Sequence, residues 1–396
     1  MTTTPSPKPK GRRLSAVTRL VVLPLILLAA GVRIGMFVGQ RRPAPAAVAV
    51  TAPPAAAPVA APVPQEAPPV SPECELTCSF QGNVYPSLLL SFGVAYPEYA
   101  RCLTISLRNL PKAATLSLRI DSDLFLQPLE VAVSARDGSA TLTPDLPWNF
   151  DSLRRMGQMQ PETFVATVTA DGRPAVQSTL LCSLHSVNEA VSRIFIASSG
   201  QWQDTSVCFA AFVNEDHPWI NSVLQEAVAA GGVRGFTGYQ GGTQAVLQQA
   251  QAIWDALAAR GLSYVNVATD SGTSPLVSTQ YVRFLDQSVH DQGANCVDAS
   301  VLFASILRRI GLRPVLIFRP GHCFTAFYDS ADATHLVAFE TTMLGGSSFA
   351  SAVAEGGREL QAAFPFLGTP QYSIVDIALC RQQGISPIPY QAPAHG

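Results

Sequence analysis

The chain has 396 residues, which at roughly 100–200 residues per domain leaves room for two or three folded units. Apolar residues make up 47% of it and charged residues 14%, against about 25% charged in an average globular protein; much of that deficit lies in one Pro/Ala tract near the N-terminus, so the folded part is less unusual than the total. The formal net charge is -2 and no basic block lies in the body, which excludes nucleic-acid binding through a broad phosphate-facing surface.

Residues 1–19 are polar and basic, with Lys8, Lys10, Arg12, Arg13 and Arg19. An apolar run from Leu20 to Val32 comes next, and beyond Arg33 a second apolar patch reaches Val38. A positive flank before a short apolar core is the pattern of a signal peptide or a signal anchor. Ala29, Ala30 and Gly31 are small, but no convincing small-x-small cleavage site precedes the Pro/Ala tract, so residues 20–38 read as an uncleaved transmembrane anchor. Arg33 can snorkel to the outer interface. The basic excess keeps the N-terminus cytoplasmic and exports the body. A linker over 39–72, almost all Ala, Pro and Val from residue 43 on, cannot bury a core and predicts an extended, semi-rigid spacer.

From 73 to 190 the pattern changes to short alternating runs such as "CLTISLRNL", "TLSLRID" and "TFVATVTADG", separated by turns at Asp137-Gly138 and Asp171-Gly172. Alternation with frequent turns predicts a β-sandwich. The eight cysteines form no CxxC pair and no histidine spacing matches a zinc site, so no metal or cofactor is expected. Cys102 and Cys182 fall in the first and last strands of the sandwich and are candidates for a disulfide in an exported protein.

The remainder, 191–396, opens on helices. "PWINSVLQEAVAA" places Ile220, Val223, Leu224 and Val228 on one face, and "TQAVLQQAQAIWDALAARG", with Thr243 as candidate N-cap, does the same with Val246, Leu247, Ala250, Ile253, Trp254 and Leu257. After Gly293, Asn295 is a candidate N-cap for a helix to about Ile310, whose Ala299, Leu302, Phe303, Ile306 and Leu307 follow i, i+3, i+4 spacing and which Gly311 ends. Cys296 therefore sits in a first helical turn, where unpaired N–H groups and the positive end of the macrodipole favour a thiolate and an oxyanion.

The chain returns as a strand, "PVLIF", turns through Arg319–Gly321, and enters "HCFTAFYD", in which His322, Phe324, Ala326 and Tyr328 share one face and Cys323, Thr325 and Phe327 the other. A third strand, "HLVAFE", ends at Glu340. A helix-start cysteine, a strand-start histidine and a strand-end carboxylate supply the nucleophile, base and orienting acid of thiol catalysis. "SSFASAVAEGGRELQAAF" reads as a further helix, "YSIVDIALCRQQG" as a strand, and the Pro-rich end as a tail.

"GANCVDASVLFASILRRIGLRPVLIFRPGHCFTAFY" followed by "VAFETT" resembles the transglutaminase-like superfamily of the papain-type fold. The likeness extends upstream to "FVNEDHPWINSVLQEA" and "GYQGG" and covers roughly residues 205–345. It implies an α+β chain in which a papain/transglutaminase-like C-terminal domain follows an all-β, Ig-like sandwich and an N-terminal membrane helix. By the same resemblance Cys296 is the nucleophile, His322 the base and Glu340 the orienting acid, in a place where the superfamily usually has Asp. Asp298 matches the family's Asp two after the Cys, with a structural role. Gln280 and Arg283 match a Gln-x-x-Arg element, which makes Gln280 a weak oxyanion-hole candidate. The activity implied is hydrolysis of a peptide or isopeptide bond in an extracytoplasmic protein or peptide, with the inner membrane as the other partner. The alternative is an inactive module of the same fold that serves as an envelope binding or assembly protein.

Overall fold

The computed structural model describes residues 71–92, 101–111, 115–122, 124–266, 274–369 and 371–389, together with the pair Leu23–Pro24. Apart from that pair, an extended two-residue segment beside Leu336 and His335, the expected basic tail and anchor, and the linker up to residue 70, lie outside the described residues. Among the described residues no helix is long and apolar enough to cross a membrane.

The first part of the chain contains β1 (Glu73–Cys78), β2 (Asn83–Val84), α1 (Pro86–Phe92), β3 (Leu103–Arg108), β4 (Leu116–Asp121), β5 (Leu129–Val133), β6 (Ala140–Leu142), α2 (Phe150–Arg154), β7 (Gln160–Ala170) and β8 (Arg173–Leu184). One sheet has the order β1-β3-β6, the other β2-β8-β7-β4-β5. Period-two alternation turns Leu103, Ile105 and Leu107 inward from the first sheet and Leu118, Ile120, Phe164 and Val168 inward from the second, into one shared core. At the β7–β8 hairpin Asp171 (φ 50°) and Gly172 (φ 75°) are both left-handed, the requirement of the turn that matches strand twist. This part is not purely β: α1 leaves the two-sheet core and packs Leu88 and Phe92 against Val187, Val191, Phe209 and Phe212.

The second part contains β9 (Glu189–Ile196), β10 (Gln201–Asp204), α3 (Trp219–Ala229), α4 (Gly242–Ala259), β11 (Ser263–Tyr264), β12 (Val277–Tyr281), α5 (Leu285–His290), β13 (Gly293–Ala294), α6 (Cys296–Arg309), β14 (Pro314–Arg319), β15 (His322–Tyr328), β16 (His335–Phe339), α7 (Phe349–Ala363), β17 (Ser373–Asp376) and α8 (Ile377–Gln382). The expected boundary at 190/191 falls inside β9, which pairs with β10 and β12. The expected N-cap at Thr243 lies one residue inside α4, whose N-cap is Gly241. The strand expected from "YSIVDIALCRQQG" stops at Asp376, because that carboxylate accepts the N–H groups of Ala378 and Leu379 and starts α8.

The central sheet runs β16-β15-β14-β17, antiparallel throughout. Its tightest connection is Pro320-Gly321 between paired Arg319 and His322, where Gly321 takes φ 71°, the left-handed position of a Pro-Gly turn. The helix α6 lies on one face, with Thr325 Oγ1 donating to Ser300 O at 3.2 Å. The helix α7 lies on the other, with Leu360 against Phe324 and Ala326. The C-terminus of α6 closes as a Schellman motif: Gly311 N–H donates to Arg308 O and Leu312 N–H to Leu307 O, with Gly311 at φ 83°. Trp254 of α4 stacks on Phe303 of α6 (5.5 Å) and meets Phe339 of β16 and Phe349 of α7 at 6.3 and 5.9 Å.

At Gly356 the helix α7 touches β16. A Cβ there would lie 2.5 Å from Phe339 N and collide with the backbone on either side. The same close approach lets Glu340 N–H reach Ala352 O at 2.9 Å. Alanine is the better helix former by about 1 kcal/mol, but overpacking costs about 1–3 kcal/mol and here the obstacle is backbone. Gly356→Ala is therefore expected to destabilise the fold by about 1–2 kcal/mol in urea unfolding; an unchanged midpoint would show that α7 does not rest on β16 at this point.

Candidate active site

Cys296 opens α6 under a well-formed cap. Asn295 Oδ1 accepts the N–H groups of Val297 and Asp298, both at 2.9 Å, and Asn295 O accepts Ala299 N–H at 3.0 Å. Asp298 returns the contact through Oδ2, which accepts Asn295 N–H at 3.1 Å, completing a capping box. The cap thus occupies two of the donors expected to serve an oxyanion, and the first-turn donor it leaves over is Cys296 N–H. The thiol itself is partly exposed.

Asp298 is buried and tied to Arg283, whose backbone N–H it accepts at 2.8 Å and whose guanidinium it meets at 2.9 Å. Burial pushes its carboxyl up, against the pull of those donors. It braces the start of α6 from behind. Gln280 lies on β12, where its side-chain amide donates to Tyr281 O at 3.1 Å.

His322 follows the Pro320-Gly321 turn and stacks over Phe324 (6.1 Å, 24°). Its Nε2 donates to Glu340 Oε2 at 2.7 Å, and its ring makes side-chain contact with Cys296. With Nε2 committed to the acid, Nδ1 is the nitrogen available to the thiol. Glu340 is buried and held at both oxygens, since Oε1 accepts Thr342 N–H (2.8 Å) and Thr342 Oγ1 (2.6 Å). It stands one residue past the end of β16 and caps the short 3₁₀ turn Thr341–Met343. The structure therefore brings Cys296, His322 and Glu340 together from a helix start, a strand start and a strand end.

Two residues at this site carry no sequence signal. Glu359 of α7 puts Oε2 at 3.3 Å from His322 Nε2, off the line of the Nε2–H and without a hydrogen-bond donor of its own. It is an ion-pair neighbour rather than the acceptor. Its other oxygen receives Arg319 Nη2 at 2.9 Å. Tyr264 of β11 sits beside Ala294, two residues before Cys296, and is 39% exposed. Burial, then the charges of Cys296 and Glu340, raise its hydroxyl, and His322 opposes them. Both residues lie outside any local motif, and only the packing of α7 and the short β11–β13 pair brings them in.

Burial alone would depress His322, but its contacts with Cys296, Glu340 and Glu359 outweigh burial and raise it to about 11. Glu359 is held well below the usual carboxylate range: its burial opposes this, and His322 and Arg319 prevail. His322, Glu340 and Glu359 also bring three donor atoms within 4.8 Å of one another, the one group among the described residues close enough to consider for a cation; with Nε2 at 2.7 Å from Glu340 and 3.3 Å from Glu359 they already pair with one another as an ion-pair cluster.

The cysteines of the first part are arranged differently from expectation. All eight are free thiols, and Cys102 and Cys182 are not joined. Cys78 contacts both of them through its thiol. Cys323 is fully buried on the α6 side of β15 among Val297, Val301 and Ala304, and desolvation raises its thiol well above the ordinary value.

No family model and no curated protein matches the chain. Among solved structures, a transglutaminase from red sea bream aligns at 10% identity over 62% of this chain and 48% of that one, with a TM-score of 0.18. A likeness of that size carries no weight for function, which has to be read from the site itself.

A raised imidazole makes the fold depend on pH in a definite direction. The stability His322 contributes is fully present below 6.5, the value of a free imidazole, and is lost as pH rises toward about 11. The loss of melting temperature in His322→Asn is thus expected to be larger at pH 6 than at pH 9.5. Equal losses at the two pH values would mean that the folded ring is not held charged.

Proposed function

We propose that the chain is a membrane-anchored, extracytoplasmic cysteine hydrolase of the transglutaminase-like kind, acting on a peptide or isopeptide bond. The observation that carries this reading is the convergence of Cys296, His322 and Glu340, with the acid fixed at both oxygens and the thiol partly open. Its location rests on the sequence alone, which gives a single pass through the inner membrane over 20–38, N-terminus cytoplasmic, followed by a spacer and a strand-rich unit; the extended pair Leu23–Pro24 beside β16 speaks against it.

Before the reaction the proton of Cys296 already stands on His322 Nδ1, as a ring held charged requires, and Cys296 Sγ attacks the carbonyl carbon. The oxyanion is met by Cys296 N–H, with Gln280 as a second candidate donor. His322 then protonates the leaving nitrogen, the C–N bond breaks, and a thioester forms on Cys296. Water, deprotonated by the now neutral His322, attacks that thioester; the C–S bond breaks and sulfur leaves as the thiolate beside the restored imidazolium. An amine in place of water gives transamidation with the same balance. Glu340 fixes the ring so that Nδ1 faces sulfur and stabilises the imidazolium.

p-Nitrophenyl acetate needs no knowledge of the natural substrate. The full chain should release a burst of p-nitrophenol while an acetyl group appears on the Cys296 peptide by mass spectrometry. Cys296→Ala should abolish both, and His322→Ala should slow the burst by roughly 10²–10⁴-fold. Turnover that survives Cys296→Ala, or a wild type no faster than buffer, would instead favour a non-catalytic envelope binding or assembly module. Addition of a primary amine separates transfer from hydrolysis by the product formed.

A further inference from the structure

Thiol catalysis of this form needs one acid behind the histidine, and Glu340 already fills that place with a 2.7 Å hydrogen bond. Yet a second carboxylate, Glu359, reaches the same nitrogen from the opposite layer of the sheet. Nothing about its position is accidental to the packing. Gly356 brings α7 into backbone contact with β16, and Glu359 lies three residues on, close to the same face of the helix. Its Oε1 is pinned by Arg319, the cross-strand partner of His322 in the β14–β15 pair. Its Oε2 is buried, faces the imidazole edge and receives no hydrogen bond. A buried acceptor without a donor is costly in a fold, and the charge of the ring is what offsets it here.

We propose that Glu359 is a second positioning acid for His322, which brackets the imidazole edge with Glu340 and holds the ring in its charged form beside Cys296. The proposal rests on the hydrolase reading for its purpose but not for its geometry. The groups that face the ring are Cys296 from α6, Tyr264 from β11, Arg319 from β14, Glu340 after β16 and Glu359 from α7. Of these Cys296 and then the two carboxylates favour the imidazolium, while Arg319 forms a pair with Glu359 that keeps its side chain in place. Glu340 sets which nitrogen faces sulfur; Glu359 adds a second negative charge at the same Nε2, 3.3 Å away. At the site the consequence is an imidazolium that persists above neutral pH, ready to protonate a leaving amine.

The test is a titration of His322 by NMR in the full chain labelled with ¹³C-histidine, in wild type, Glu359→Gln and Glu359→Asp, with melting temperature as the control for folding. The His322 resonance is assigned by its loss in His322→Asn. Glu359→Gln should lower the titration midpoint of His322 by about one unit or more, a tenfold or larger loss of proton affinity, in a variant that still melts cooperatively; Glu359→Asp should recover part of the shift. Titration curves that superimpose in wild type and Glu359→Gln would overturn the proposal. The readout needs no substrate and no reaction at Cys296. An inert Cys296 beside a shifted His322 would therefore sink the hydrolase reading and keep the role of Glu359, whereas a reactive Cys296 beside an unshifted His322 would sink that role alone.

Discussion

The aromatic cluster around Phe339 is the constraint on which the site depends. Phe339 is fully buried and meets Phe303 of α6 at 5.1 Å, Phe327 of β15 at 5.9 Å, Phe349 of α7 at 5.6 Å and Trp254 of α4 at 6.3 Å. Beyond the area they bury, such pairs contribute about 0.5–1.5 kcal/mol each. They join the elements that carry Cys296, His322, Glu340 and Glu359: α6 starts at Cys296, β15 at His322, Glu340 follows Phe339 directly, and α7 carries Glu359. Trp254 Nε1 donates to Ser347 O at 3.2 Å, so the one polar atom in the cluster is satisfied and ties α4 to the approach of α7.

Against that apolar frame, the site concentrates charge where burial is unfavourable. An imidazole and two carboxylates lie largely out of solvent, with a single guanidinium beyond them. Ion pairs in such places recover little more than their desolvation cost, so the cluster is a poor device for stability and a suitable one for chemistry. Asp298 and Arg283 make the contrast. Their pair is also buried, but every oxygen of Asp298 is bonded to backbone or guanidinium around the start of α6. One pair builds the helix start, and the other sets the charge of a side chain that faces the thiol.

The central elements were legible because each has a local signature. The spacing of Leu302, Phe303, Ile306 and Leu307 gave α6, Asn295 and Gly311 gave its ends, and Pro320-Gly321 gave the hairpin that presents His322. The places of Cys296, His322 and Glu340 could be read because each sits at the end of such an element. Glu359 could not: it stands in the middle of an amphipathic helix like any solvated Glu, and only the backbone contact at Gly356 turns it inward. Tyr264 was hidden for a similar reason, since a two-residue parallel pair with Ala294 leaves no pattern in the sequence. That Cys78 comes to lie against both Cys102 and Cys182 has no signal in the spacing along the strands. The strand expected through Leu379 failed at Asp376, where a side-chain cap outweighed an apolar run.

The central claim is that Cys296 and His322 act as a pair, and alkylation of Cys296 by iodoacetamide tests it most directly. Peptide mass spectrometry resolves Cys296 from the other seven thiols, and the rate is followed against pH in wild type and in His322→Ala. The account predicts a wild-type reaction that is fast and persists well below pH 8, slowed about tenfold or more when the imidazole is removed. A slow reaction that rises only in the alkaline range and is the same in both proteins would contradict it.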